Sequence, residues 1–230
     1  MIIGLISYLV FFLIVSLIFS ISVLGLNMQW GFTGLFNAGV AGFVAIGGYT
    51  MAILTGPSRE VVFGGFELPF IIGLIGAMVM AGLGALIVGL LTLKLNHEYL
   101  AVATFGIAVT IQLVCLNWEY LTGGTLGLIS IPNPARDFAE GALAQNSLFL
   151  TMVLMLGGLV FIGLERIVKS PWGRMLKAIR EDETAAASLG KNPVRIRLEA
   201  FVLGCMLMGL SGALYVSFIG YVSPWDFLPI

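Results

Sequence analysis

Residues 1–20 read MIIGLISYLVFFLIVSLIFS, and the chain continues without a charged side chain until Arg59. A helix needs about 20 apolar residues to cross a hydrocarbon layer about 30 Å thick, so this uncharged region has room for two spans. No basic residues precede this apolar run, and the run is longer than the apolar core of a typical cleavable signal peptide. We therefore expect a membrane protein whose first helix stays in the membrane.

The rest of the chain has the same character, since 59% of its 230 residues are hydrophobic and 10% are charged. An average soluble domain has about 25% charged residues. Short segments that alternate apolar and polar residues, as in membrane barrels, do not recur. The expected fold is an all-α integral membrane protein, a polytopic helical bundle in one domain over 1–230. The predicted spans are about 5–26, 32–54, 69–93, 100–121, 147–164 and 199–219.

Positive charge is concentrated in the loop 165–198, which holds eight of the eleven lysines and arginines. The positive-inside rule places this loop in the cytoplasm. Alternation of the spans then puts the N-terminus, Arg59 and Arg136 outside and Lys94 inside. The net charge of −1 gives no indication of a nucleic-acid partner. The eight basic residues are Arg166, Lys169, Arg174, Lys177, Arg180, Lys191, Arg195 and Arg197.

The residue types needed for catalysis are scarce. His97 is the only histidine, and Cys115 and Cys205 lie in apolar runs without the spacing of metal ligands. An enzyme would need a nucleophile with a base, or a metal cluster. We therefore expect no catalytic residue, metal or cofactor. Ionisable groups are also missing from the middle of the spans, which argues against ion-coupled transport and points to an energy-supplying partner.

Small residues recur at every fourth position in two spans. Such a ridge lets helix backbones approach closely in a membrane. The ordinary interpretation is tight helix packing, and the alternative is a surface that slides during transport. The ridges comprise Gly73, Ala77, Ala81, Ala85 and Gly89 in the third span, and Cys205, Gly209, Ala213 and Ser217 in the sixth.

The second predicted span is unusual. Residues 27–50, NMQWGFTGLFNAGVAGFVAIGGYT, combine polar side chains with six glycines. Glycine costs roughly 1 kcal/mol relative to alanine inside a helix, so this segment is either a tightly packed helix or one that breaks. Non-helical backbone at membrane depth must be surrounded by protein or line a water-filled cavity. Asn37 is therefore a candidate pathway residue, as is Gln112, the deep polar residue of the fourth span.

The charged stretch at 170–190 reads SPWGRMLKAIREDETAAASLG. Ser170 followed by Pro171 is typical of a helix start, and we expect a helix through Glu183 and a second helix over 184–190. The first helix is amphipathic, which suits either the membrane surface or a groove in a partner. Its apolar face comprises Trp172, Met175, Leu176 and Ile179, and its charged face Arg174, Lys177, Arg180 and Glu181.

Residues 170–215, SPWGRMLKAIREDETAAASLGKNPVRIRLEAFVLGCMLMGLSGALY, resemble the large cytoplasmic loop and following span of permease subunits of ABC importers for branched-chain amino acids, especially the LivM branch. Ala185, Ala186 and Gly190 fit the EAA…G pattern of importer coupling loops, with Thr184 where the glutamate would stand. Two further blocks, GFTGLFNAGVAGFVAIGGYTMAIL and EYLAVATFGIAV…LTGGTLGLISIP, resemble other regions of these permeases. The resemblance runs from about residue 26 to residue 224.

This resemblance implies a permease subunit of the bacterial plasma membrane that pairs with a homologous permease. The pair would sit on two cytoplasmic ATPases and accept branched-chain amino acids from an extracytoplasmic binding protein. The loop 165–198 would be the coupling loop. Its implied ATPase-coupling residues are Arg174, Lys177, Arg180, Glu181, Ala185, Ala186 and Gly190.

The sequence leaves several alternatives open. Importers of urea or short amides use similar permeases, and a non-transporting membrane scaffold would share the ridges and the basic loop. Relatives continue with further helices, so we expect that the chain lacks the C-terminal part of the permease. An outer segment that matches a family block adds four possible pathway residues, with a flexible surface loop as the alternative. These are Gly123, Gly124, Thr125 and Gly127.

Overall fold

The computed structural model describes residues 2–59, 62–93, 97–136, 141–188, 190 and 192–228, and this part of the chain is predominantly helical. The α-helices are α1 (Ile2–Thr33), α2 (Val40–Thr55), α3 (Phe70–Thr92), α4 (His97–Asn117), α5 (Glu119–Thr122), α6 (Ala142–Lys169), α7 (Pro171–Glu181), α8 (Glu183–Ser188) and α9 (Pro193–Ile219). Two 3-10 helices cover Gly124–Leu126 and Pro224–Phe227, and two short strands are β1 (Leu128–Ile129) and β2 (Tyr221–Val222).

The prediction of an all-α polytopic membrane protein is confirmed. Five of the described helices, α1, α3, α4, α6 and α9, are long and apolar enough to cross a membrane. The remaining predicted span corresponds to α2, which has 16 residues. At a rise of 1.5 Å per residue, α2 is about 24 Å long, shorter than the hydrocarbon layer.

The prediction of one helix over 32–54 is wrong. α1 continues to Thr33, the backbone is non-helical over 34–39, and α2 begins at Val40. The glycine-rich region therefore contains the break that was the alternative interpretation. Gly34 has a φ of +75°, the left-handed conformation that commonly ends a helix, and the Leu35 amide donates to the Gln29 carbonyl at 3.1 Å.

α9 is the central helix of the bundle. In the most apolar 18-residue stretch of α9, 72% of the stretch is buried inside the bundle, whereas the corresponding share for α6 is 17%. α1 runs antiparallel to α9, because Ile18 pairs with Ser211 while Gln29, further along α1, pairs with Phe201. α2 runs parallel to α9, and α3 is antiparallel to it.

The two ridges of small residues are packing faces. A Cβ atom added to Gly47 would lie 2.1 Å from the Gly209 carbonyl oxygen, and one added to Gly212 would lie 2.0 Å from the Val44 oxygen. On the other side of α9, a Cβ at Gly209 would lie 2.4 Å from the Ala81 Cβ. α2 and α3 therefore approach α9 at backbone distance, as the spacing predicts.

The bundle has two ends. The end of α6, both helices α7 and α8, and the start of α9 lie at one end, which we call the α7 end. At the opposite end, β1 pairs antiparallel with β2, with Leu128 opposite Val222, and we call this the strand end. Phe149, near the start of α6, contacts Phe218 of α9 with ring centroids 5.2 Å apart, so α6 runs from the strand end to the α7 end.

Candidate functional site

The predicted helix pair at the α7 end is present, with a different boundary. α7 ends at Glu181, not Glu183, because Asp182 begins the next helix. The Asp182 Oδ1 atom accepts hydrogen bonds from the backbone amides of Thr184 at 2.9 Å and Ala185 at 3.0 Å. The Thr184 hydroxyl donates to the same oxygen at 2.6 Å. An aspartate at this position is a strongly preferred helix N-cap, and sequence reasoning missed it.

The apolar face of α7 is covered by the bundle. Leu176 and Ile179 are 0% and 2% exposed, and α7 contacts α1, α6 and α9. The Trp172 indole donates to the Glu199 carboxylate at 2.9 Å. Gly173 lies so close to α6 that an added Cβ would be 2.1 Å from the Val168 carbonyl oxygen. The opposite face of α7 is thus the one left for lipid or for a partner.

Two of the predicted coupling cations contact α1. The Arg180 guanidinium donates a hydrogen bond to the Gly31 carbonyl. The Lys177 ammonium lies 5.8 Å from the centroid of the Phe32 ring, a distance suited to a cation–π interaction. These contacts attach α7 to the last turn of α1, immediately before the non-helical segment 34–39.

The other predicted coupling residues are divided between exposed and covered positions. Arg174, Glu181 and Ala185 are exposed, whereas Ala186 is buried. Gly190 is exposed and has a φ of +76°. α8 also contacts the start of α9. Glu183, the first residue of α8, forms a 2.7 Å salt bridge with the buried side chain of Arg197.

The N-cap of α8 makes a testable contribution to the helix pair. The hydrogen bonds from the Thr184 hydroxyl and the Ala185 amide hold the pKa of Asp182 below its usual range. The cap is therefore complete above the ordinary aspartate pKa of about 3.9, and its contribution is lost as the pH falls through the lower, folded value. At pH 7 we expect Asp182→Ala to speed amide hydrogen exchange in α8 several-fold.

Asp182→Asn is the matched control, because asparagine is also a good N-cap and does not titrate. It should keep exchange close to that of the unchanged chain. Equal exchange rates in α8 for the alanine variant and the unchanged chain would contradict the role of Asp182.

The non-helical segment 34–39 is held by polar side chains inside the bundle. Asn37 is 1% exposed, and its Oδ1 atom accepts from the Gly39 amide at 2.8 Å. The Ala38 amide donates to the Thr104 hydroxyl at 3.1 Å. Gln29 donates to the Phe201 carbonyl at 2.9 Å. The Asn37 and Thr104 side chains thus satisfy the Gly39 and Ala38 amides, which have no helical partner, as burial within a membrane requires.

A cavity of about 490 Å³ lies beside this segment, between α1, α2 and the residues that follow β2. Its polar lining residues are Ser22, Asn37 and Asp226, and its other walls are mostly apolar. Sequence reasoning identified Asn37 but missed Ser22 and Asp226. A single serine in an apolar span, or an aspartate after the last span, is too weak a signal without the tertiary structure.

The remaining predicted pathway residues lie elsewhere. The Gln112 side chain donates to the Pro224 carbonyl at 3.4 Å. Gly123, Gly124 and Gly127 have positive φ values in the turn before β1, and a Cβ at Gly127 would lie 2.0 Å from the Val222 oxygen. The backbone at Gly127 therefore lies too close to β2 for a side chain, which explains the glycine at this position. Thr125 is exposed at the strand end, so the structure does not gather the six residues into one site.

This arrangement defines a class of protein: a polytopic helical membrane protein with an anchored pair of short helices at one end, the first of them amphipathic. The family model described as branched-chain amino acid transport system / permease component matches residues 8–229. The chain belongs to this family, which confirms the resemblance seen in the sequence.

Individual relatives agree with the family match. Over 92% of its length, the chain is 34% identical to the high-affinity branched-chain amino acid transport system permease protein LivM of Salmonella typhimurium, and 33% identical to LivM of Escherichia coli. It is 28% identical, over 84% of its length, to a probable branched-chain amino acid transport permease protein LivM of Methanocaldococcus jannaschii. The matches cover 53%, 53% and 62% of these relatives, so the chain spans about half their length. No solved structure matches the chain.

Proposed function

We propose that this chain is a membrane-spanning subunit of an ATP-driven importer for branched-chain amino acids. In this proposal it pairs with a homologous permease, receives solute from an extracytoplasmic binding protein and rests on two cytoplasmic ATPases. The family membership supports a permease of a branched-chain amino acid transport system, and the relatives are named as transporters of branched-chain amino acids, which supplies the solute class.

The proposed orientation has the α7 end in the cytoplasm and the N-terminus outside, in a bacterial plasma membrane. Its support is the concentration of positive charge at the α7 end, which the positive-inside rule associates with the cytoplasm. Lys94 and Lys191, which also entered the sequence-based orientation, lie outside the described residues. The basic residues of the described part at this end are Arg166, Lys169, Arg174, Lys177, Arg180, Arg195 and Arg197.

One observation supports a coupling role for α7. This helix has an exposed face, and it also contacts the end of α1 next to the segment 34–39, which we call the α1–α2 junction. Arg180 donates to the Gly31 carbonyl, and a Cβ at Gly34 would meet the Arg180 side chain at 3.6 Å. Gly34 opens the segment 34–39 that carries Asn37. A displacement of α7 would therefore reach the interior of the bundle through direct contacts.

These contacts suggest a division of labour among the coupling residues. Arg174, Glu181 and Ala185, which are exposed, form the face offered to an ATPase groove. Lys177 and Arg180 pass the movement to α1. Ala186 and Gly190 shape α8 and the turn that follows it.

The test of ATPase association uses a tagged chain purified gently from native membranes. Arg174→Glu should reduce recovery of ATPase subunits at least several-fold, because it reverses a charge on the exposed face. Arg166→Glu is the matched control, since Arg166 is also exposed but lies on α6. A chain in which residues 171–188 are replaced by a Gly/Ser linker gives the background level of ATPase recovery. Equal recovery with the linker chain and the unchanged chain would refute the proposal.

A further inference from the structure

A narrow groove between α1 and α6, which we call the α1–α6 groove, lies next to the α7 end. Its volume is about 180 Å³, below the range of about 300 to 1,000 Å³ that is typical of sites for compact small molecules. One lining residue, Phe161, is more than half exposed, so the groove opens onto the outer surface of the bundle. Its apolar walls are formed by Leu24, Met28 and Phe32 of α1 and by Phe161, Leu164 and Val168 of α6.

α7 crosses the end of this groove. Gly173 packs so closely on α6 that an added Cβ would lie 2.1 Å from the Val168 carbonyl oxygen. On the α1 side, the Lys177 ammonium lies 5.8 Å from the centroid of the Phe32 ring. Because Val168 and Phe32 both line the groove, these contacts of α7 bring a cation to the place where the groove ends.

The charge at this end of the groove is positive. Lys177 and Arg180 are exposed, and neither forms an ion pair within the described ranges, although Glu181 is also exposed on α7. Arg180 donates to a backbone carbonyl of α1, and a guanidinium has five N–H donors, so further donors stay available. Glu165, which also lines the groove, is already paired with Lys169 at 2.6 Å. Two cations are therefore available to a negatively charged ligand.

Exposed aromatic side chains indicate the depth of the groove in the membrane. Tyrosine and tryptophan are enriched at both membrane–water interfaces. On α1, Tyr8 and Trp30 are more than half exposed, and they lie about 33 Å apart at 1.5 Å per residue. Tyr99 in the first turn of α4 and Trp118 just after its end are also more than half exposed and lie about 28 Å apart. Both separations match a hydrocarbon layer of about 30 Å, so the last turn of α1 lies at the interface on the α7 side.

A phospholipid with a negatively charged headgroup has the complementary features. Its alkyl chain is narrow and needs no hydrogen-bond partner, so it suits an apolar groove at the depth of the hydrocarbon layer. Its phosphate lies at the headgroup level, where Lys177 and Arg180 are placed, and basic pockets between membrane helices bind anionic headgroups. An apolar helix from another subunit would cover the same walls but would leave the two cations without a counter-charge.

We propose that the α1–α6 groove binds an alkyl chain of an anionic phospholipid, with the phosphate held by Lys177 and Arg180. This site does not depend on the proposed transport function, because it uses only the membrane fold and the charges at the α7 end. The headgroup would contact α7 while the alkyl chain contacts α1 and α6. The bound lipid would therefore hold α7 against both helices.

The test compares lipid binding by the purified chain in detergent, measured by native mass spectrometry. The probes are dioleoyl phosphatidylglycerol, which is anionic, and dioleoyl phosphatidylcholine, which has the same alkyl chains and no net charge. The unchanged chain should bind phosphatidylglycerol several-fold more tightly. Lys177→Gln should lower this preference about fivefold, the effect expected for one basic side chain near an anionic headgroup.

Matched variants separate the site from general charge. Lys177→Arg keeps the cation and should keep the preference. Arg166→Gln removes a positive charge that is exposed at the same end of the bundle but does not line the groove, and it should also keep the preference. Leu24→Trp fills the groove with a larger side chain and should weaken binding of both lipids several-fold, at an unchanged melting temperature.

Equal binding of the two lipids by the unchanged chain would overturn the proposal, because an uncharged groove site or a protein helix would then explain the apolar walls. An equal loss of preference in Lys177→Gln and Arg166→Gln would overturn it as well, since the effect would come from total charge. Lipid binding that Leu24→Trp leaves unaffected would place the lipid outside the groove. Should Leu24→Trp lower the melting temperature, the Lys177 variants decide the result by themselves.

Discussion

Replacing Gly47 with alanine should separate α2 from α9 and strongly destabilise the bundle. The added Cβ would lie 2.1 Å from the Gly209 oxygen and 2.4 Å from its Cα. Overpacking usually costs about 1 to 3 kcal/mol, and we expect the upper end because the neighbouring atoms belong to backbone that cannot rotate away. The measurement is the melting temperature of the detergent-solubilised chain, followed by loss of the monodisperse peak in size-exclusion chromatography.

Gly106→Ala is the matched control for this experiment. Gly106 lies in the middle of α4, and a Cβ added there would meet nothing within 4 Å. Its melting temperature should stay the same or rise slightly, because alanine is favoured over glycine in helices by roughly 1 kcal/mol. A drop of equal size in both variants would show that general sensitivity to substitution, not the α2–α9 contact, determines the result.

Proline at Lys177 should abolish solute uptake while ATP hydrolysis continues. Lys177 lies inside the 11-residue helix α7, where proline removes a helical hydrogen bond and clashes with the carbonyl four residues earlier, at a cost of about 3 kcal/mol or more. The second half of α7 carries Arg180, so its contact with Gly31 should be lost. We expect leucine uptake by the assembled importer in vesicles to fall more than tenfold, with the protein still present in the membrane.

Lys177→Ala separates the helix from the charge. It keeps α7 intact and removes only the ammonium above the Phe32 ring, an interaction of about 0.5 to 1 kcal/mol at an exposed site. Most of the uptake should remain. Undiminished uptake by the proline variant would refute the role of α7 in coupling, and equal loss in both variants would assign the effect to the charge alone.

Features that depend on local sequence were predicted well. The helical class followed from runs of apolar residues longer than a hydrocarbon layer requires. Ser170 and Pro171 correctly predicted the start of α7, because the preference of proline for the first helical turn acts locally; the Ser170 hydroxyl donates to the Ile167 carbonyl and does not cap the helix. The end of α7 was missed although the signal was local: Asp182 is an N-cap residue directly before a short helix.

The small-residue ridges show how far a sequence pattern reaches. The spacing of Gly73, Ala77 and Ala81 indicated a face for close packing, but not its partner. The structure places α3 against one side of α9 and α2 against the other, with Gly209 close to both. A one-dimensional pattern reveals which face is narrow, whereas the choice of partner depends on how all the helices fill the bundle.

Apolar length, capping and motif spacing are local properties, so the residues alone predicted that the chain crosses a membrane repeatedly, where most helices lie and which permease family it resembles. Three features needed the tertiary structure: the break at 34–39, the contact between Arg180 and Gly31, and the hydrogen bond from the Ser211 hydroxyl to the Ile18 carbonyl. The last two join residues far apart in the chain, and the break depends on such a contact as well, since the Ala38 amide donates to the Thr104 hydroxyl. The physical reason is that these hydrogen bonds exist only once helices distant in sequence are packed together.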